Sequence, residues 1–235
     1  HFNYLERFQP EPIRKLYQSE AKIYEMVRSQ FLSSWEVAKE EEEKLNMCCE
    51  PDEVKKMIDE LLHKTENKND ILAHLNDLIE HKEWGEAIEI LSKNIEGDEL
   101  SAELNGLLGA LFQINGEYEK SIIAFLKSIE ANPNDIEILQ YLGDSYSCIQ
   151  QYDKAIDAFL KCAQINPNDA SIWNQLGDSF EKSNQNTKAI DAYLKSIELK
   201  PTDWLSWFYL GSLHIKNKEF QKAINSFVKA IEINS

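Results

Sequence analysis

The sequence predicts an all-α protein built from stacked helix-turn-helix units. Two residue types recur with a period of 34 residues. They are the prolines Pro133, Pro167 and Pro201 and the glycines Gly109, Gly143, Gly177 and Gly211. A fixed period of this length is typical of arrays in which each unit buries its apolar face only by stacking on its neighbours. The period therefore predicts the fold class and limits the class of function, but it does not name a partner.

Residues 1–67 do not fit this period and are expected to form an N-terminal helical extension. An apolar stripe that runs from Ile13 to Trp35 predicts one long helix over about 11–46. Pro51 suits the first turn of a second helix over about 52–64, and residues 65–69 form a predicted polar loop. The two helices either cap the array, since terminal repeats need a polar outer face, or form a separate partner-binding arm. We favour capping.

Residues 68–101 continue the period weakly and are expected to be a degenerate helix pair. The first helix is predicted near 70–81 and the second near 84–95, with a turn at Lys82 and Glu83. Ala87 lies where the later units carry a small residue, which supports the assignment. Leu75 stands where the later units carry glycine, so this pair has lost one element of the pattern.

Four regular units follow, at 102–135, 136–169, 170–203 and 204–235. The third begins A-S-I-W-N-Q-L-G-D-S-F and closes T-K-A-I-D-A-Y-L-K-S-I-E-L-K-P. It resembles the tetratricopeptide repeat, with a large apolar residue at unit position 4, Leu-Gly at 7 and 8, aromatic residues at 11 and 24, small residues at 20 and 27, and Pro at 32. The departures from this pattern are Asn105, Ser121 and His214, and the last unit lacks the proline. His214 replaces an aromatic residue and is expected to pack in a partly buried position.

The periodic residues have packing reasons. Gly within a helix costs about 0.5–1 kcal/mol relative to Ala, so four glycines at one phase indicate a close approach of two helices. The leucine and aromatic positions follow i, i+3 and i+4 spacing and are expected to fill the space between the two helices of a unit. Proline cannot continue the helix that precedes it, and Asp169 and Asp203 are expected to be N-caps of the helices that follow.

The resemblance implies a right-handed superhelical solenoid of antiparallel helix pairs, in which the first helix of each unit lines a concave groove. On that implication, ten residues are predicted to meet a partner. They are Glu137, Gln140, Tyr141, Asp144, Asn174, Gln175, Asp178, Leu205, Phe208 and Tyr209. Amide side chains can both donate to and accept from a peptide backbone, and Asp144 and Asp178 would attract lysine or arginine. Phe208 and Tyr209 either offer an aromatic anchor or pack against a further C-terminal helix.

The predicted groove disfavours one ligand that the family is known to bind. Members that hold the C-terminal carboxylate of a chaperone do so with lysine, asparagine and arginine side chains in the groove. The corresponding positions here carry Gly106, Ala110, Tyr141, Ser171 and Gln175. None of these residues is basic, so a chaperone tail is not the expected partner.

Charge narrows the class of partner further. The chain has 25 basic and 41 acidic residues, a net charge of −16. A strongly negative field repels phosphate backbones, so nucleic acid is disfavoured and a basic protein segment is the easier partner. The alternative is that the charge serves only solubility. No apolar run approaches the roughly 20 residues needed to cross a membrane, and no glycosylation sequon occurs, so an intracellular, cytoplasmic protein without membrane insertion is expected.

The sequence carries none of the common catalytic motifs. It lacks the glycine-rich phosphate loops, the G-x-S-x-G nucleophile motif and the H-E-x-x-H zinc motif. The four cysteines, Cys48, Cys49, Cys148 and Cys162, do not have the spacing of a zinc site. We therefore expect no catalytic residue, no metal site and no cofactor.

These observations predict a non-enzymatic scaffold or adaptor that binds an extended or helical segment of a partner protein. Two alternatives stay open: the repeat arm of a larger enzyme, such as a glycosyltransferase, phosphatase or methyltransferase, and a structural subunit of a multi-protein assembly. The chain begins at His1 and stops at Ser235 as the last predicted helix ends. Either the chain is a piece of a longer protein, which we favour, or the exposed face of that last helix binds a partner.

Overall fold

The computed structural model describes residues 50–64, 69–94 and 101–234, and every regular element among them is an α-helix. The long helix predicted over about 11–46 and most of the predicted loop at 65–69 lie outside the described residues. The described chain divides into two compact units, one that ends at Lys200 and one that begins at Pro201. The predicted all-α fold class is confirmed.

The described helices are as follows in chain order. They are α1 (Pro51–Lys64), α2 (Asn69–Glu80), α3 (Trp84–Asn94), α4 (Ser101–Ile114), α5 (Tyr118–Ala131), α6 (Ile136–Cys148), α7 (Tyr152–Ile165), α8 (Ala170–Lys182), α9 (Asn186–Leu199), α10 (Trp204–Lys216) and α11 (Phe220–Ile233). None of them combines the length and the hydropathy that a membrane crossing requires.

In the larger unit, α2 to α9 form four helix pairs that stack in chain order. The two helices of each pair pack together, and the second helix of a pair also packs on the first helix of the next pair. Thus α3 contacts both α2 and α4, and α7 contacts both α6 and α8. The smaller unit is the pair α10 and α11, which pack on each other. This connectivity explains the period, because each pair repeats the contacts of the one before.

The periodic glycines lie where two helices touch. A Cβ atom placed on Gly143 would lie 2.6 Å from the ring of Phe159, and one on Gly177 would lie 2.6 Å from the ring of Tyr193. The same clash occurs between Gly109 and Phe125. The inference that these glycines permit a close helix approach is therefore confirmed, and the residue that approaches is the aromatic at unit position 24.

The turn between the two helices of a pair also repeats. The residue at unit position 15 has a positive φ in every pair, close to 60° at Lys82, Gln150, Asn184 and Lys218 and 76° at Gly116. Four of these five residues are not glycine, so their left-handed backbone is strained by of order 1 kcal/mol each. The turn geometry is therefore imposed by the packing of the helices that it joins.

The predicted N-caps differ from each other. The Asp169 carboxylate accepts a hydrogen bond from the backbone N–H of Ser171 at 2.9 Å, as expected for a cap. Asp203 occupies the N-cap position of α10, but its side chain makes no capping hydrogen bond to the backbone. The Ser206 hydroxyl donates to the Asp203 carboxylate instead. The predicted N-cap position of Asp203 is therefore confirmed, and at this cap a serine hydroxyl one turn later takes the carboxylate in place of the backbone N–H.

Candidate functional site

Most of the residues predicted to meet a partner lie on α6 and α8, each of which is the first helix of its pair. Gln140, Asp144, Asn174, Gln175 and Asp178 are all half-buried, so each residue keeps part of its surface accessible. Gln140 and Asn174 stand at unit position 5 and Gln175 stands at position 6. Asp144 and Asp178 stand one helical turn later, at position 9. We call these five residues the amide-acid strip. Its members come from two successive helix pairs, so the strip exists only because the pairs stack.

Side-chain hydrogen bonds join the strip across the two pairs. The Gln140 amide nitrogen donates to the Gln175 amide oxygen at 3.2 Å. The Gln175 amide nitrogen in turn donates to the two Asp144 carboxylate oxygens at 3.2 and 3.4 Å. Gln175 therefore holds Asp144 and Gln140 in one chain of hydrogen bonds.

Asp144 is electrostatically unusual. Loss of water around the carboxyl raises its pKa well above the ordinary value, and the neighbouring Cys148, Asp178 and Glu53 raise it further. The hydrogen bond from Gln175 acts in the opposite direction, because it stabilises the carboxylate. Among the described residues Asp144 forms no ion pair. A cation brought to this carboxyl would therefore relieve an unfavourable charge.

The neighbouring acidic residues already have intramolecular cations. The Lys182 ammonium lies 2.9 Å from the Asp178 carboxylate, one turn along α8. The Lys56 ammonium lies 3.8 Å from the Glu137 carboxylate, and the Tyr141 hydroxyl donates to the same carboxyl at 3.3 Å. These groups are partly exposed, so each ion pair contributes only about 0–1 kcal/mol. Of these three carboxyl groups, Asp144 is the one that lacks such a pair in the described residues.

Tyr141 has a packing role as well as its polar contact. Its side chain is only 6% exposed, and its ring stacks on Phe125 with centroids 5.9 Å apart. The accessible part of the residue is thus small. Tyr141 therefore packs on Phe125 and donates a hydrogen bond to Glu137, and it offers little surface to a ligand.

The three predicted residues of the smaller unit lie on α10. Leu205 and Tyr209 are half-buried, whereas Phe208 is 4% exposed. The Phe208 ring centroid lies 5.7 Å from that of Phe227 and 5.9 Å from that of Tyr209. Phe208 therefore belongs to an aromatic cluster within its own helix pair, and little of its ring is accessible to a ligand.

One buried residue of α4 supports the site from the neighbouring helix pair. Gln113 of α4 is 3% exposed, and its amide nitrogen donates to the Tyr141 carbonyl oxygen at 3.1 Å and to the Ser145 hydroxyl at 2.9 Å. The Ser145 hydroxyl also lies 2.8 Å from that of Ser121. These bonds tie α4 and α5 to α6. A glutamine within the otherwise apolar end of α4 is the signal that could have indicated this role.

The remaining chemistry of the described chain is sparse. Burial raises the pKa of the Cys162 thiol to about 12, and the nearby Asp144 carboxylate adds to the effect. A thiol in that state is a poor nucleophile, since the thiolate is the reactive form. Within residues 50–64, 69–94 and 101–234, no group of three or more histidine, cysteine or acidic side chains is arranged to hold a metal ion.

Comparison with known proteins agrees with this architecture. Two family models described as tetratricopeptide repeat match the chain, one at 102–135 and 170–203 and the other at 124–157 and 192–225. The chain belongs to the tetratricopeptide repeat family. The matched ranges fall within the part of the sequence that forms α4 to α11, where the periodic glycines and aromatics stand, whereas α1 to α3 lie outside them.

Solved structures with the same fold include MamA proteins. A MamA crystal structure is 23% identical, with a TM-score of 0.65, and the match covers 68% of this chain and 94% of that one. MamA 41-end from Desulfovibrio magneticus RS-1 is 20% identical, with a TM-score of 0.67, and the match covers 72% and 96%. At these identities the likeness concerns the fold alone. No curated protein sequence matches the chain significantly.

Proposed function

We propose that this tetratricopeptide repeat protein is a non-enzymatic scaffold that binds an extended or helical segment of a partner protein along α6 and α8. Family membership supports a protein-interaction scaffold in general. The proposed partner segment carries lysine or arginine together with backbone or amide groups that can pair with glutamine. Nucleic acid, a membrane and a chaperone carboxylate tail are not proposed as ligands.

The observation that carries the proposal is the chain of hydrogen bonds from Gln140 through Gln175 to Asp144. It presents a carboxyl group whose charge is disfavoured by its surroundings and which forms no ion pair among the described residues. A lysine or arginine from a partner would supply the missing cation, and the flanking amides would fix the backbone of the same segment. Asn174 and Asp178 are half-buried members of the same strip, and the proposed contact extends to them.

The test uses peptides selected against the chain from a random library, followed by calorimetric titration. We expect the selected peptides to be rich in lysine or arginine. The double variant Asp144→Lys with Asp178→Lys is expected to weaken binding by about tenfold or more and to flatten its dependence on salt, because two attractive charges become repulsive.

The matched control is Asp153→Lys with Asp157→Lys, which makes the same change of charge at two exposed positions of α7. This control is expected to bind as the unmodified chain does, apart from a small long-range effect that salt removes. Equal affinities for the unmodified chain and the Asp144/Asp178 variant would show that the strip is not the binding site.

A further inference from the structure

The Asp144 carboxylate receives the Gln175 amide at its open end, between its two oxygens. One atom, Nε2 of Gln175, lies 3.2 Å from one carboxylate oxygen and 3.4 Å from the other. A donor that is almost equally far from both oxygens, and is bonded to both, lies between them on the side away from the carboxyl carbon. An arginine guanidinium would place its two parallel N–H groups at this same position. Gln175 therefore occupies the bidentate position of Asp144.

The orientation of the Gln175 amide is fixed from its other end. Its oxygen accepts a hydrogen bond from Nε2 of Gln140 at 3.2 Å. If the Gln175 amide were turned over, its oxygen would face the Asp144 carboxylate and its NH2 group would face that of Gln140, and both pairs would repel. Gln140 therefore holds Gln175 with its donor group toward Asp144.

The bond from Gln175 limits how a cation can approach Asp144. A carboxylate has about four acceptor directions, two on each oxygen. The two directions that converge at the open end are taken by Gln175, so each oxygen can be reached only from its outer side. A cation from a partner can consequently form a hydrogen bond with one oxygen, but it cannot bond to both together.

Two neighbours of Asp144 are poor acceptors for any further donors that the cation carries. Cys148 lies one helical turn along α6, and a thiol accepts hydrogen bonds weakly. Asp178, which is near enough to raise the pKa of the Asp144 carboxyl, is already bonded to the Lys182 ammonium at 2.9 Å. Loss of water is the largest cause of the raised pKa of Asp144, so solvent does not readily supply other acceptors.

Lysine and arginine differ under these conditions. Arginine carries five N–H donors in one rigid plane, so a single bond to Asp144 leaves four donors to be satisfied. Lysine carries three donors on a compact head, so the same bond leaves two. The guanidinium is the more weakly hydrated cation, which favours arginine in a site with little water. Each buried donor without a partner costs about as much as a lost hydrogen bond, however, and this cost is greater for arginine.

We propose that Gln175 makes the site at Asp144 selective for lysine over arginine, and that the partner segment presents a lysine side chain to this carboxylate. The inference rests on the proposed function, because it names the cation that the same surface binds. Gln175 is then the residue that determines specificity. Gln140 is a positioning residue, since it acts through Gln175.

The test starts from a random peptide library in which lysine and arginine are equally frequent, selected against the unmodified chain. We expect one position of the selected peptides to be lysine much more often than arginine. One selected peptide is then synthesised with lysine and with arginine at that position, and both forms are titrated calorimetrically. The lysine form is expected to bind about fivefold more tightly or better. Equal affinities, or tighter binding of the arginine form, would overturn the proposal.

Removal of the Gln175 amide tests its role directly. Gln175→Ala opens the bidentate position, so the ratio of the lysine affinity to the arginine affinity is expected to fall to about one or to reverse. The ratio is the useful quantity, because damage to the fold lowers both affinities together. The matched control is Gln164→Ala at an exposed position of α7, which should leave the ratio unchanged. An unchanged ratio in Gln175→Ala would show that Gln175 does not set the preference.

Two further variants test the other members of the hydrogen-bond chain. Gln140→Ala releases the Gln175 amide, so the ratio is expected to lie between those of the unmodified chain and Gln175→Ala. A ratio equal to that of the unmodified chain would overturn the positioning role of Gln140. In the Asp144→Asn chain the ratio is expected to be close to one. A persistent lysine preference there would place the lysine at another acidic group and overturn the assignment to Asp144.

The outcomes separate this inference from the proposed function. If the selected peptides bind more weakly to the Asp144→Lys with Asp178→Lys variant, but their lysine and arginine forms bind equally, the proposed function stands and the selectivity assignment fails. If that double variant binds the selected peptides as the unmodified chain does, the amide-acid strip is not the binding site and both proposals fail.

Discussion

The first helices α4 and α8 show two uses of one helix face. Gly106, Leu107 and Ala110 of α4 stand at the same unit positions as Asn174, Gln175 and Asp178 of α8. The α4 residues are apolar and buried beneath α1, whereas the α8 residues are polar and half-buried. The opposite side of each helix is nearly the same, with a glycine packed against an aromatic ring. The repeat is therefore specified by one side of the helix, and the other side can be apolar and buried, as in α4, or polar and half-buried, as in α8.

Truncation of the side chain at unit position 6 is expected to give the largest difference between α4 and α8. Leu107→Ala is expected to lower the free energy of unfolding by about 2–5 kcal/mol, because it leaves a cavity between α1 and α4. Gln175→Ala at the same position of α8 is expected to cost about 1 kcal/mol, since it removes hydrogen bonds that water can replace. Chemical denaturation followed by circular dichroism measures both. Similar losses of unfolding free energy in the two variants would show that this face of α8 contributes to the core as that of α4 does.

The glycines test the part that the units share. Gly177→Ala is expected to destabilise the chain by about 1–3 kcal/mol, because the new Cβ would overlap the Tyr193 ring. Gly85→Ala in α3 is the matched change in the degenerate pair, where nothing lies within 4 Å of the added atom. At that position we expect the free energy of unfolding to increase by roughly 0.5–1 kcal/mol, because alanine has a higher helix propensity than glycine. Thermal melting of the two variants measures the difference, and shifts of equal sign would contradict the packing reason.

The smallest expected effect concerns Asp144 and depends on pH. The raised pKa means that the folded chain holds the Asp144 proton more tightly than the unfolded chain does. Between the ordinary carboxyl pKa and the raised one, stability therefore falls as pH rises. The Asp144→Asn variant has no carboxyl to ionise, so it does not lose this stability as the pH rises. Its melting temperature should therefore exceed that of the unmodified chain at neutral pH, and the two melting temperatures should converge in acid.

The comparison variant for that experiment is Asp157→Asn, which makes the same charge change at an exposed position of α7. It is expected to leave the melting temperature almost unchanged throughout. A neutral-pH melting temperature for Asp144→Asn at or below that of the unmodified chain would refute the electrostatic account. It would also remove the main reason to place a partner's cation at Asp144.

The fold was predictable because each unit repeats one contact. Gly143 and Phe159 lie 16 residues apart in the sequence, and the same pair of residue types recurs at the same spacing in each unit. The repeat also predicts that His214 is partly buried, and the residue is 7% exposed. Its Nδ1 lies 2.6 Å from a Glu219 carboxylate oxygen, a contact that the repeat does not predict. A residue whose role is set by its phase can be placed from the sequence alone.

The placement of α1 was not predictable in this way. Its apolar stripe indicates that one face is buried, but Val54 and Ile58 carry no information about which surface they cover. Lys56 and Glu137 are 81 residues apart, outside any common period, so their ion pair left no pattern in the sequence. The hydrogen bond of Asp203 and the burial of Phe208 share this origin, because each depends on a neighbouring side chain rather than on the repeat.

The chain of hydrogen bonds from Gln140 to Asp144 has a mechanical consequence. It spans two helix pairs through side chains whose donor and acceptor atoms are 3.2 Å apart, a distance that leaves little slack. If α6 and α8 were pulled apart by one ångström, these bonds would be lost, whereas the packed glycines and aromatics would still touch. A molecule stretched along its repeats would therefore lose the geometry around Asp144 before it unfolds, and binding of the proposed partner segment would weaken under tension.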